Sequence, residues 1–240
     1  MGAENQNGPR FWAVVPAAGI GIRMGGEIPK QYLPLLGRPV IAHTLERLCN
    51  HPRISGVVVA LAADDRWWPE IRTQLTRPPL VVAGGDERCD SVLNSLDALT
   101  EHASMDDWVL VHDAVRPCLR DEDMDRLMNA LWSDAVGGLL AMPVKDTMKR
   151  AAGDGRISET VSRESLWYAQ TPQMFRLGAL RDAIRKSVDA GRKVTDEAQA
   201  MELTGARPRL LQGYEGNIKI TQPEDLKLAE VFLTGMGEGS

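Results

Sequence analysis

The sequence predicts an α/β protein, built on a Rossmann-like, mostly parallel sheet with helices on both faces and a protruding β-hairpin arm. Three observations support this reading: short apolar runs recur along the chain, segments with helical apolar spacing separate several of them, and one polar stretch breaks the alternation. Apolar runs of roughly four to eight residues suit strands buried on both faces. Strand followed by helix, repeated, is the pattern of a parallel sheet covered on both sides.

The elements follow in order. Residues 12–15 form the first apolar run and lead into a glycine-rich loop. Ile41, Leu45 and Leu48 mark a helix face, and residues 57–61 and 80–83 are the next strands. Val92, Leu96 and Leu99 mark a second helix, followed by strands at residues 108–112 and 138–142. Residues 143–163 are polar and partly alternating around Gly153-Asp154-Gly155, which predicts a hairpin that leaves the sheet. Residues 217–220 read as a last strand. Thr221-Gln222-Pro223-Glu224 then opens a final helix, with Thr221 as cap and Glu224 three residues on.

At 240 residues the chain suits one domain, expected over residues 11–234 between flexible tails at 1–10 and 235–240, with 143–163 as an arm rather than a second domain. The formal net charge of −5 argues against a nucleic-acid protein. Cys49, Cys89 and Cys118 are odd in number and lack a Cys-x-x-Cys spacing, so neither a disulfide framework nor a zinc site is expected, and a cytoplasmic location fits. The first residues lack an apolar signal core. No run of about 18 apolar residues predicts a membrane span.

In open parallel sheets ligands bind at the carboxyl ends of the strands, and here glycines, carboxylates and cations gather there. The first strand runs into Gly19-x-Gly21, flanked by Arg23 and Lys30, a loop whose backbone N–H groups and cations suit a polyphosphate. It fails as a dinucleotide fingerprint, because Met24 stands where a third small residue is needed, and it lacks the Gly-Lys-Ser/Thr of a P-loop. A tight turn with two solvated cations is the plainer alternative. Asp113 follows a strongly apolar strand, where its carboxylate needs a partner: Mg²⁺ shared with phosphates, or an ion pair with Arg116. Lys219 lies among β-branched neighbours and is either a buried anion ligand or an edge-strand lysine. Thr195-Asp196-Glu197-Ala198 reads as a helix start, with Thr195 as cap or as part of an anion site. Gly84-Gly85-Asp86 with Ser91 either faces a base edge or only turns the chain. The four histidines lack ligand spacing.

These motifs resemble the 2-C-methyl-D-erythritol 4-phosphate cytidylyltransferases of the non-mevalonate isoprenoid pathway, over about residues 11–233. The likeness rests on Pro16-Ala17-Ala18-Gly19-x-Gly21-x-Arg23-Met24, Pro29-Lys30-Gln31-Tyr32, Gly84-Gly85-Asp86-Glu87-Arg88 with Ser91-Val92, and Val111-His112-Asp113-Ala114-Val115-Arg116-Pro117. Gln170-Thr171-Pro172-Gln173, Thr195-Asp196-Glu197-Ala198 and Asn217-Ile218-Lys219-Ile220-Thr221 continue it. Val115, where the family often has a second Ala, and Ile22 are slight departures.

The resemblance implies transfer of CMP from CTP to 2-C-methyl-D-erythritol 4-phosphate, with Mg²⁺ as cofactor and release of pyrophosphate. It implies that Ala17, Ala18 and Gly19 hold CTP, that Gly85, Asp86 and Ser91 line the cytidine pocket, and that Asp113 coordinates the metal. Arg23, Lys30 and Lys219 would be the catalytic cations. Arg116, Thr147, Arg163, Thr171 and Thr195 would position the acceptor, Thr147 and Arg163 acting across a homodimer joined through the arm. The rival readings are a cytidylyltransferase for ribitol 5-phosphate or a related polyol phosphate, and a nucleotide-binding module without turnover.

Overall fold

The computed structural model describes residues 9–19 and 28–237. Strand β1 (Phe11–Pro16) is followed, after the segment at 20–27, by a 3₁₀ turn at Lys30–Tyr32 and a small hairpin of β2 (Pro34–Leu35) and β3 (Arg38–Pro39). Helix α1 (Val40–Asn50), β4 (Ile54–Leu61), α2 (Trp68–Gln74) and β5 (Leu80–Ala83) complete one half of the sheet. The other half begins with α3 (Arg88–Leu99), β6 (Trp108–Val111), α4 (Asp121–Leu131) and β7 (Gly137–Pro143). The hairpin β8 (Met148–Ala151) and β9 (Ile157–Val161) comes next, then β10 (Trp167–Arg176), α5 (Leu177–Asp189), α6 (Glu197–Glu202), β11 (Arg209–Gln212) and α7 (Pro223–Gly237).

The seven-stranded sheet has the order β11-β7-β10-β6-β1-β4-β5. Strand β10 is antiparallel to both its neighbours, whereas β1, β4, β5 and β6 pair parallel, as β7 and β11 do. The mostly parallel sheet expected from the apolar runs is present. Alternation within β1 shows why these runs are apolar throughout: Ala13 and Val15 face a core shared with Leu45 of α1 and Leu127 of α4, while Val14 faces one shared with Leu96 of α3 and Leu180 of α5. Both faces are buried, so neither can be polar.

From β1 the chain moves outward to β4 and β5, then returns to place β6 on the other side of β1. The connections leaving β1 and β6 therefore diverge, opening a crevice at their carboxyl ends.

The hairpin within residues 143–163 is present, and Gly155 takes φ +80° in its turn, a left-handed conformation that glycine adopts without steric cost. Two expectations need correction. Residues 217–220 are not a strand: the final strand is β11, and 217–220 cross the carboxyl end of the sheet, where the Ile220 N–H donates to the Val115 carbonyl at 2.9 Å. The segment is apolar because Ile220 fills a small core with Leu35, Val115 and Ala229 beneath α7, not because it pairs in the sheet. The expected arrangement of a Thr221 cap with Glu224 is replaced by Asp225 in the first turn of α7, whose carboxylate reaches back to accept from the Thr221 and Gln222 N–H groups at 2.8 and 2.9 Å and from the Thr221 hydroxyl. Helix α7 continues to Gly237, past the expected domain edge at 234.

Candidate functional site

A cleft of about 460 Å³ occupies the crevice, walled by Ala17, Ala18 and Gly19 after β1, Gly85 to Arg88 after β5, Asp113 to Val115 after β6, and Lys30 and Lys219. The walls are built from strand ends and tight turns. At Gly84 an added Cβ would lie 2.2 Å from the Ala18 Cβ, so only glycine lets the two loops meet. The Gly85 N–H donates to Ser91 Oγ at 3.1 Å, fixing the loop to α3. Gln31, buried, donates from Nε2 to the carbonyls of Ala17 (2.9 Å) and Gly19 (3.0 Å), tying the Lys30 turn to the start of the glycine loop.

Asp113 is the electrostatic centre. Its Oδ1 lies 3.2 Å from the Arg88 guanidinium, and its Oδ2 lies 3.0 Å from Lys219 Nζ and 3.4 Å from Arg116 Nε. Burial works against its charge, yet Arg88, then Lys219 and Arg116, hold the carboxyl well below the usual carboxylate range. Arg88 also forks onto the buried Glu197, at 2.6 and 3.2 Å. Against the loss of hydration, Glu197 and Asp113 hold Arg88 charged. Around Asp113 three cations, Arg88, Arg116 and Lys219, thus face two carboxylates, Asp113 and Glu197.

Behind Asp113 runs a buried relay. The Asp113 N–H donates to Thr171 Oγ1 at 3.1 Å, Thr171 Oγ1 lies 2.9 Å from His112 Nδ1, and His112 Nε2 lies 3.0 Å from the Arg116 carbonyl. A carbonyl can only accept, so Nε2 carries a proton. Burial pushes His112 down to about 4, which keeps the imidazole neutral, so Nδ1 accepts from the Thr171 hydroxyl. From the ordinary value of about 6.5 down to that one, the unfolded chain binds a proton that the folded chain refuses. The His112 contribution is therefore complete above about pH 6.5 and is lost as pH falls toward 4, about 3 kcal/mol in all. Urea titrations between those values should show a steep acid limb that His112→Gln flattens. An equally steep limb in the variant would place the proton uptake elsewhere. The contribution of Asp113, whose carboxyl is depressed, disappears only below about pH 4.

The structure brings Ala17, Ala18, Gly19, Lys30, Gly85, Asp86, Ser91, Asp113 and Lys219 to one cleft. Arg23 lies outside the described residues. The ion pair between Asp113 and Arg116 exists beside the Lys219 contact, and Arg116 also donates to the Asn217 carbonyl at 2.7 Å. Arg116 and Thr171 are thus packed behind the cleft rather than on its wall. Thr195 is exposed and is not the cap of α6; Asp196 is, accepting from the Gln199 N–H at 2.9 Å. Thr147 and Arg163 are exposed at the base of the β8–β9 hairpin. Arg88, Gln31 and Glu197 sat inside recognised motifs without a role. Arg88 carried a signal of its own, because a cation at the first position of a helix opposes the helix dipole unless carboxylates surround it.

Among the described residues no three His, Cys, Asp or Glu side chains are grouped to hold a metal, and no helix is long and apolar enough to cross a membrane.

Comparison with known proteins agrees with this geometry. Residues 11–235 match the family model described as 2-C-methyl-D-erythritol 4-phosphate cytidylyltransferase. A protein of that name from Hahella chejuensis is 51% identical over 233 residues, covering 97% of each chain. One from Pseudomonas aeruginosa is 54% identical over 219 residues, 91% of this chain and 94% of the other. Among solved structures, a 4-diphosphocytidyl-2C-methyl-D-erythritol synthase superposes with a TM-score of 0.83 at 37% identity, covering 95% of this chain and all of the other. The Francisella tularensis cytidylyltransferase gives 0.81 at 33% identity, covering 93% and 99%.

Proposed function

The chain belongs to the 2-C-methyl-D-erythritol 4-phosphate cytidylyltransferase family, and we propose that the cleft above Asp113 is where it performs that family's reaction. The protein transfers CMP from CTP to 2-C-methyl-D-erythritol 4-phosphate in isoprenoid precursor biosynthesis, giving the cytidine diphospho-alcohol and pyrophosphate. The family match sets aside the ribitol-phosphate reading. One observation carries the assignment to the cleft: Lys30, Lys219 and the Ala17–Gly19 turn line one cleft with the ionised Asp113 at the switch point of the sheet.

An oxygen of the acceptor phosphate attacks the α-phosphorus of CTP as the bond to pyrophosphate breaks. The acceptor is already ionised near pH 7, so the step needs no general base, and the obstacle is repulsion between anions. Lys30 and Lys219, with Arg23 from the glycine loop, offset that charge and stabilise what develops on the α-phosphate. The Ala17–Gly19 backbone seats the triphosphate, while Gly85, Asp86 and Ser91 receive the cytosine. Arg116 and Thr171 orient Asp113 from behind. Thr195, on the loop before α6, and Thr147 and Arg163 on the hairpin, position the acceptor.

The donor chemistry suits Mg²⁺, because Asp113 offers an ionised carboxylate and, among the described residues, no group of three or more His, Cys, Asp or Glu accompanies it, which fits an ion that takes most of its oxygens from phosphates and water. When bound there, the ion neutralises triphosphate charge. The hairpin supports a dimer: it carries little core of its own, and Ile157, Trp167 and Tyr168 expose apolar surface at and beside it.

Following pyrophosphate release with CTP and each acceptor tests the substrate assignment. Turnover with 2-C-methyl-D-erythritol 4-phosphate should exceed that with ribitol 5-phosphate by a large margin, and a preference for ribitol 5-phosphate would refute it. For the arm, mixing inactive Arg163→Ala and inactive Lys30→Ala subunits should restore activity, since one site per mixed dimer is intact. No recovery in proven heterodimers would place Arg163 in its own subunit's site or outside any.

A further inference from the structure

Glu197 is almost fully buried yet does not line the cleft, and its carboxylate is spent on Arg88. Arg88 stands at the first position of α3, directly after the loop that walls the cytosine side, and its free edge reaches Asp113. The pair therefore joins two parts of the molecule distant in sequence. One is the first turn of α6, which follows Thr195. The other is the carboxylate at the centre of the nucleotide wall. The same turn is fixed from below by Gln173, which donates to Asp196 Oδ2 at 3.0 Å and accepts from the Ala198 N–H at 2.7 Å. A second ion pair, Lys193 with Glu87, ties the preceding loop to the same end of α3 at 2.5 Å.

We infer that Arg88 and Glu197 form a positioning pair that couples the acceptor loop at Thr195 to the orientation of Asp113, so that the two substrates' seats are set by one shared guanidinium. The inference rests on the functional reading above and adds a role for two side chains that do not themselves react. The geometry demands an arginine. Its planar fork donates to Glu197 through two nitrogens while Nε and one terminal nitrogen face Asp113, an arrangement that a lysine ammonium cannot span. A pair kept only for stability would be an expensive choice, because buried ion pairs seldom outperform apolar packing of the same volume.

The coupling predicts an effect at a distance. Glu197→Gln preserves shape but removes the charge that holds Arg88, freeing the guanidinium to pull on Asp113. Calorimetric titration of the folded variant with CTP alone should show affinity weakened about tenfold, within the usual range of coupling between sites. In an Arg88→Lys background the same substitution should add less than twofold, because the connection is already broken. Kinetically, half-saturating concentrations of both CTP and the acceptor should rise together, while Glu197→Asp, which keeps the charge but retracts it, should fall between. The Glu197→Asp variant also serves if Glu197→Gln does not fold. Unchanged CTP affinity, full additivity of the two substitutions, or a loss of kcat alone with both KM values normal would overturn the inference. Absence of turnover in the unmutated protein would instead count against the functional reading, while CTP titration would still decide the coupling.

Discussion

Lys30→Ala lowers kcat about a hundredfold or more, with a smaller effect on the KM for CTP. The expectation follows from charge. Attack of one phosphate on another concentrates negative charge at the α-phosphorus, so a cation held there is worth more in the transition state than in the ground state. Loss of one preorganised donor at such a position costs roughly 3 kcal/mol. The fold should survive the substitution, because the segment is anchored by Lys30's neighbours: Gln31 donates to the Ala17 and Gly19 carbonyls, and the Tyr32 hydroxyl donates to Asp65 at 2.6 Å. Steady-state kinetics on protein with an unchanged melting curve is the check. Near-normal kcat would remove Lys30 from the chemistry, and a large rise in KM with kcat intact would make it a ground-state contact only.

Asp113→Asn damages both stability and activity. The carboxylate lies among Arg88, Arg116 and Lys219 with little exposure, and an asparagine leaves those cations facing one another across a neutral amide. Removing one member of a buried, hydrogen-bonded ionic group costs about 3 kcal/mol or more. Urea unfolding at neutral pH should therefore show a midpoint well below that of the unmutated protein. Turnover measured far below that midpoint should be at least a hundredfold down, since the variant loses the buried, ionised carboxylate proposed to hold the divalent ion, and raising the barrier by about 3 kcal/mol corresponds to such a factor. A variant as stable as the parent would mean that the three cations do not depend on Asp113, and one as active would remove the carboxylate from the reaction.

Much of this was legible in the chain, for identifiable reasons. β1, β4 and β6 are buried over most of their length, so their runs are largely apolar and could be read directly, while β5, an exposed edge strand, still carries the apolar run Leu-Val-Val-Ala. β10 could not: its sequence, Trp-Tyr-Ala-Gln-Thr-Pro-Gln-Met-Phe-Arg, carries the polar Gln170, Thr171 and Gln173 inside the fold, where they bond to backbone and to His112. Its polarity reflects the site it supports. The reverse holds at Ile218 and Ile220, where apolar residues pack beneath α7 and mimic a strand. In the cleft, residues beside glycines or at strand ends are legible because their position is a signal in itself. Arg88 and Glu197 are each ordinary alone, and their meaning depends on a contact across 109 residues of sequence that no local pattern encodes.

The central claim is that the cleft works by placing two phosphates together among cations, with no side chain bonded to the nucleotide along the way. The stereochemical course at the α-phosphorus tests this most directly. With CTP carrying sulfur at one α-oxygen in a single configuration, and 2-C-methyl-D-erythritol 4-phosphate as acceptor, direct displacement predicts a product inverted at phosphorus. Retention would require two displacements through a cytidylylated side chain, and would contradict the account.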